Sequence, residues 1–362
     1  MAEIINGIQQ IGIGVTNTKQ VFNWYRQYLG FNILVFKDEA TASLMTKYTQ
    51  GEPQRRDAYL SLNMKGGGGL EIWQFKDRVP NAPEIPVLMG DLGINAMIIR
   101  SNNLFKTRKT LIALSLDYVT DIANSICGRT FFYFMDPWGN VVKIVQDDYD
   151  FSKTEIPSGG IMGAVIGVSD IEKSTNFYGS LLGYNQTIVD EIITMPNSSK
   201  SNTPRKFRRV LLKHERITYG GFGALLGPSE IELLQALDRQ PIKIFENRLW
   251  GDLGYIHICF DVHGMKALRK KAADLGHGFT VDSANSFDMG DAAGHFSYVE
   301  DPDGTLIEFV ETHKVPVLKA LGIHLNLKKR NPKNPLPKWL VKTLNIHKAV
   351  SYTHLRAHET RY

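Results

Sequence analysis

What most constrains this chain is that it repeats itself. The stretch IGIGVTNTKQVFNWYRQYLGF (Ile11 to Phe31) returns as AVIGVSDIEKSTNFYGSLLGY (Ala164 to Tyr184), with Val15 matching Val168, Tyr25 matching Tyr178 and Leu29-Gly30 matching Leu182-Gly183, all at one offset. A pattern that recurs in fixed register marks a structural unit used more than once. Each copy reads as a strand, a Thr or Ser helix cap, about three turns of helix with apolar residues at helical spacing, and a glycine stop.

After each helix come alternating strands joined by Gly-rich turns, AYLSLNMKGGGGLEIWQF in the first half and FRRVLLKHERITYGGFGALLGPSEIELLQAL in the second. The run Gly66 to Gly69 reads as a hairpin turn and not a phosphate loop, because no Lys-Ser/Thr follows it and no helix starts there. A second pair of units opens at Gly90-Asp91-Leu92-Gly93 and at Gly251-Asp252-Leu253-Gly254. Each leads into a strand (INAMIIRS; YIHICFDV), a helix (LFKTRKTLIALSL; GMKALRKKAADLG) and a hairpin turned at Asp136-Pro137-Trp138-Gly139 or Asp301-Pro302-Asp303-Gly304. Pro and Gly suit such tight turns. The chain is thus four βαβββ modules, residues 5–80, 90–150, 158–240 and 250–313, which in sequence order make two domains, 1–150 and 158–313.

Composition narrows the function classes. Its 43% hydrophobic and 10% aromatic residues can build substantial cores. No apolar run reaches the roughly 18 to 20 residues that span a bilayer, and the start MAEIINGIQQIGIGV has no basic region ahead of an apolar one. A cytoplasmic protein with no membrane partner is expected. Cys127 and Cys259 fit neither a zinc spacing nor a disulfide framework, and both sit in runs that read as buried. The net charge of +5 belongs to the tail, since Lys314 to Ala349 holds nine Lys or Arg and no Asp or Glu. With the body mildly acidic, no nucleic-acid partner is expected. Residues 314–349 read as a basic extended arm carrying a short helix in KWLVKTLNIHK and bracing the body. The terminal SYTHLRAHETRY fits neither module nor arm and resembles translated sequencing-adapter DNA, so residues 350–362 carry no functional argument.

Glutamates inside apolar strands stand out, because burying an unpaired carboxylate is costly. Glu71 in LEIWQ, Glu232 in IELLQ and Glu308 in IEFVE have this character, as does His257 in YIHICF.

Paired βαβββ modules with the opening V-S-D-x-x-K-S…F-Y…L-G and the closing strand D-P-D-G…I-E-F resemble the vicinal oxygen chelate superfamily, which includes glyoxalase I, extradiol dioxygenases, methylmalonyl-CoA epimerase and fosfomycin-resistance proteins. The resemblance implies an α+β fold of tandem modules forming two cup-shaped curved mixed sheets with helices outside. It also implies metal ligands from the first and last strands of each module. Aligning the repeats gives last-strand positions Glu71, Lys143, Glu232 and Glu308, and first-strand positions Gln10, Ala96, Gly163 and His257. Two pairings are open. If modules exchange, the first and fourth bring together Gln10, Glu71, His257 and Glu308, the glyoxalase I set, and leave Lys143 to pair with Glu232. If neighbours pair, the site is Glu232, His257 and Glu308.

Either set suits a divalent metal, Zn²⁺, Ni²⁺, Co²⁺, Fe²⁺ or Mn²⁺. The resemblance implies a lyase or isomerase that abstracts a proton next to a carbonyl of a small-molecule substrate, the metal stabilising an enediolate, with Glu308 as base and Glu71 as its partner. A second reading is an extradiol-type Fe(II) ring-cleaving dioxygenase, weakened because Gly163 stands where that class has a histidine. A third is a metal-free small-molecule-binding protein. Arg205, Arg208 and Arg209, in a run read as a loop, are candidate grips for an anionic substrate group. His295, in the run Ser283 to Phe296 read as a lid, is a further candidate. A monomer or homodimer is expected.

Overall fold

Strand-forming runs, helix stops and tight turns fall where the repeat puts them. The computed structural model describes residues 3–348 apart from 199–200, 216–219, 285–286, 290–291, 319–322 and 328–329. The adapter-like tail, 350–362, lies outside the described residues. The first module is β1 (Ile4–Gly14), α1 (Thr18–Leu29), β2 (Ile33–Ala42), β3 (Gln54–Leu62) and β4 (Gly69–Phe75). The second is β5 (Gly93–Ser101), α2 (Leu104–Ile112), β6 (Ala123–Asn124), β7 (Thr130–Met135) and β8 (Val141–Gln146). The third is β9 (Ser158–Gly167), α3 (Ile171–Leu182), β10 (Gln186–Ser198), β11 (Ser201–Lys213), a short α4 (Gly223–Leu226) and β12 (Glu230–Ala236). The fourth is β13 (Gly254–His263), α5 (Met265–Asp274), β14 (Val281–Asp282), β15 (Phe287–Met289), β16 (Ala292–Glu300) and β17 (Leu306–Leu318).

The repeat-equivalent helices end as read, on Gly30 and Gly183 in the left-handed region, at φ 78° and 77°. Their caps lie one residue beyond the Thr and Ser expected. Asn17 accepts from Gln20 N and Asp170 from Glu172 N and Lys173 N, because a carboxamide or carboxylate oxygen reaches the free amides of the first turn.

The modules exchange. One sheet runs β14-β16-β17-β13-β1-β4-β3-β2, joining the first module to the fourth, and the other runs β10-β11-β12-β9-β5-β8-β7-β6, joining the third to the second. The two are curved, mixed sheets forming cups flanked by helices. In each, the seam is an antiparallel pair of first strands, β1 with β13 and β9 with β5, each flanked by a parallel last strand.

Glycines make the exchange possible. Gly14 and its repeat mate Gly167 have no room for a side chain: a Cβ would stand 2.0 Å from Asp252 O and 1.9 Å from Asp91 O. Each Gly-Asp-Leu-Gly segment therefore docks its backbone on the first strand of the partner module. A buried ion pair clasps each docking, Arg78 to Asp252 at 2.9 Å and Arg239 to Asp91 at 2.6 Å, with both aspartates at most 1% exposed. Between the cups, Tyr25 donates to Asp136 at 2.7 Å and Tyr178 to Asp301 at 3.0 Å, so the helix of one module holds the hairpin turn of its sequence neighbour. The four-glycine run is a turn, and it lets the cups touch backbone to backbone: Gly68 N donates to Ile161 O at 2.7 Å, and a Cβ on Gly67 would collide with Gly160.

The arm continues as β18 (Ile323–Asn326), paired with β17, and α6 (Lys338–Lys342). Leu336 and Val341 are buried in a cluster with Ile33, Leu62 and Phe151, so the arm braces the first module. Cys259 is buried, but Cys127 is exposed, in the tight turn between β6 and β7, where two strand ends leave the core. Among the described residues no helix is long and apolar enough to cross a membrane.

Candidate metal centre

Four adjacent strands, β17, β13, β1 and β4, bring the site together. Gly12 on β1 is in register with His257 on β13 and with Glu71 on β4, while Cys259 of β13 is in register with Glu308 of β17. Because side chains alternate across a strand, Glu71, His257 and Glu308 project into the same cup. Gly12 is what lets His257 lie over the seam, since a Cβ there would stand 2.4 Å from the imidazole. His257 Nε2 is 3.1 Å from Glu71 Oε2 and 3.2 Å from Glu308 Oε2, and Gln10 Nε2 donates to Glu71 Oε2 at 3.3 Å.

These groups are nearly dry. His257 is 0% exposed, Gln10 4% and Glu308 7%. The two approaches to the imidazole are close but not aligned as hydrogen bonds, so His257 Nδ1 and Nε2, Glu308 Oε2 and Gln10 Oε1 have no hydrogen-bond partner. Buried polar atoms left in that state are rare and costly. Burial pushes Glu308 up to about 7, its neighbour Glu71 adding to this and His257 opposing it. Burial also works against a charged His257, yet the carboxylates of Glu308 and Glu71 outweigh it and raise the imidazole above its ordinary value. The pocket, in short, favours positive charge. Glu71, His257 and Glu308 offer three ligand atoms within 4.8 Å of one another, among the described residues the one such group, and the unpartnered Gln10 Oε1 stands beside them. One imidazole, two carboxylates and an amide oxygen fit a divalent metal of borderline hardness.

The surroundings are aromatic. The Trp250 ring stacks toward His257 with centroids 6.4 Å apart, Tyr298 meets it edge-on at 5.7 Å, and Trp73 packs on Trp250 at 4.3 Å. Such a wall lowers the local dielectric and strengthens every charge interaction inside. Sequence reading passed over these rings and Gly12. The signal for Trp73 was present, two residues from Glu71 and so on the same face of β4, and a lone glycine inside a strand marks a close approach.

Residues 160–309 match the glyoxalase family, described as the Glyoxalase/Bleomycin resistance protein/Dioxygenase superfamily. Among solved structures, a Bacillus subtilis protein with a provisional dioxygenase assignment is similar over 97% of this chain and 98% of its own, at 14% identity and a TM-score of 0.57. Glyoxalase I from Zea mays is similar over 85% of this chain and 93% of its own, at 13% identity and a TM-score of 0.52. The chain has the vicinal oxygen chelate fold. At these identities the likeness to solved structures is one of fold alone. No curated protein matches the sequence at a significant level.

Only one cup holds such a cluster among the described residues. Glu232 does not join His257 and Glu308, because β12 belongs to the other sheet, so the neighbour-paired set is not formed. Lys143 Nζ instead lies 2.5 Å from Glu232 Oε2 and sits over the rings of Phe131 and Tyr133, both groups nearly sealed from water. The second cup thus carries its own cation. Ala96 and Gly163 complete its seam without a ligand atom.

The expected arginine loop is a strand, β11, of that second sheet, since its alternating residues complete a long hairpin with β10. Arg209 pairs with Glu191 and lies 4.0 Å from Glu232, and Arg208 pairs outward with Asp190 and Glu172. Arg205 lies on the same strand, its Nε buried and without a hydrogen-bond partner. These arginines are therefore not brought to the Glu71, His257 and Glu308 cluster. His295 lies on β16 with Nε2 2.6 Å from Asp282 Oδ1. The run read as a lid falls partly on β15 and β16 and partly, at 285–286 and 290–291, outside the described residues.

Proposed function

We propose that this protein is a metal-dependent lyase or isomerase of glyoxalase type, moving a proton between adjacent carbons next to a carbonyl. The observation that carries this reading is the buried cluster of Glu71, His257 and Glu308, drawn from the first and fourth modules, with ligand atoms left unpartnered. Glu71, His257, Glu308 and Gln10 would hold the metal, which when bound supplies Lewis-acid polarisation of substrate oxygens.

The chain's own residues do the rest. Glu308, buried in the cluster with its Oε2 unpartnered, is suited to take and return a proton. Glu71, whose Oε2 approaches the same imidazole nitrogen, is its partner. Trp250, Tyr298 and Trp73 keep water from the carbon that loses its proton. His257 fixes the spacing of the two carboxylates, being within 3.2 Å of both.

The ring-cleaving dioxygenase reading needs two histidines and one carboxylate around iron. Gly163 is in the other cup, and the position on β1 equivalent to His257 on β13 is Gln10, so the donor set has a single imidazole. The test is proton exchange. With Ni²⁺ or Zn²⁺ added, the protein should bind one metal per chain and exchange the α-proton of a small α-hydroxycarbonyl compound for deuterium without consuming oxygen. Glu308→Gln should slow that exchange by about 10² to 10⁴-fold. Oxygen uptake with catechols would sink this reading in favour of the dioxygenase, and absence of bound metal would favour a metal-free binding protein.

A further inference from the structure

Further along the first sheet, beyond His257 on β13, lies an open cleft that the proposed chemistry does not use. Its walls include Asn6 of β1, Gly220 ahead of α4, Asp261 and His263 of β13, and Arg330 and Asn334 of the arm. The opposite charges in it do not meet. Asp261 is 4% exposed, and its carboxylate accepts from Asn6 Nδ2 at 2.8 Å and Gln9 Nε2 at 3.4 Å. Burial pushes its carboxyl up to about 7, the mark of an acid with no cation beside it. Arg330 lines the same cleft and forms no ion pair with any described residue.

Asn6 adds the observation that points to a ligand. It is 5% exposed and committed through Nδ2 to Asp261, which leaves Oδ1 as a buried acceptor with no donor. Gly220 holds the amide in place from the other side, where a Cβ would stand 2.3 Å from it. A buried acceptor beside a buried acid calls for a donor carrying positive charge, and a free guanidinium across the same cleft calls for a carboxylate. An anion alone would meet Asp261, and a cation alone would leave Arg330 unused.

We propose that this cleft binds the ammonium and carboxylate of an α-amino acid, or of a molecule that ends in one, with Asp261 and Asn6 Oδ1 receiving the ammonium and Arg330 the carboxylate. The arm then serves as one wall of a binding site as well as a brace. This inference does not rest on the metal reading and is tested without metal.

Calorimetric titration of the full chain with glycine, L-alanine and L-glutamate should show at least one of them binding once per chain. Acetate and methylamine, each carrying half of the charge pair, should bind at least about tenfold more weakly. Arg330→Gln, on the arm, and Asp261→Asn, which keeps the side-chain shape, should each weaken binding by about tenfold or more. The proposal is overturned if none of the three amino acids binds up to about 10 mM. It is also overturned if acetate or methylamine binds as well as they do, or if Arg330→Gln, with an unchanged circular dichroism spectrum, binds as the parent does.

Discussion

At the scale of single residues the cluster turns on a histidine whose Nε2 faces two carboxylates, its ring lying over a residue with no side chain. Gly12→Ala should push the His257 ring out of its place. We expect a loss of about 1 to 3 kcal/mol in urea-denaturation stability together with loss of metal, whereas alanine at exposed Gly278, with open space around it, should change neither. Proton linkage makes a second test. Glu308, held at about 7, and His257, held above its ordinary value, both bind protons more tightly in the folded chain than in the unfolded one. The metal-free fold therefore gives up stability as pH rises from the ordinary carboxylate range through about 7. Metal binding needs both groups deprotonated and strengthens over the same rise. The increase in Tm caused by added Zn²⁺ should grow between about pH 5.5 and 8, and far less in Glu308→Gln. A metal-induced shift that shrinks with rising pH would count against these groups as ligands.

At the scale of elements, the clasps at the two Gly-Asp-Leu-Gly segments hold the exchanged modules in register. Asp252 pairs with Arg78 and also accepts from Asn81 N at 2.7 Å and Leu249 N at 2.8 Å, all without exposure of its own. Asp252→Ala should cost about 3 to 5 kcal/mol in chemical denaturation, because a guanidinium and two amides lose their acceptor together. A change below about 1 kcal/mol would show that strand pairing alone fixes the register. Much of this was legible in the repeats. Val15 with Val168 and Asp91 with Asp252 set the module boundaries, and Glu71 with Glu308 stood out as acids in apolar strands. The residues that decide pairing were harder to read. Arg78 and Arg239 are equivalent to each other, but nothing local ties an arginine to an aspartate far along the chain. The arginines of β11 looked like a loop because charges break the apolar alternation, and only their ion pairs with Asp190, Glu172 and Glu191 show why a strand tolerates them. Cys127 misled because a short apolar run, SIC, turns out to be a hairpin tip.

At the scale of the molecule, each cup draws one module from each half, so neither half contains a complete sheet. Fragments 1–155 and 156–349 expressed apart should be largely unfolded or aggregated, and expressed together they should reassemble and recover metal binding. Independent folding of either fragment, seen as a cooperative thermal transition, would show that modules can also pair with their sequence neighbours. The arrangement also bears on synthesis. Gln10 and Glu71 leave the ribosome long before His257 and Glu308, so the first module must wait, its β1 edge unpaired, while the middle cup is made and closes. The cluster of Gln10, Glu71, His257 and Glu308 is complete only when the fourth module has been made, with the arm alone still to follow. A chain that stops short of the fourth module therefore lacks His257 and Glu308, two of the four candidate ligands.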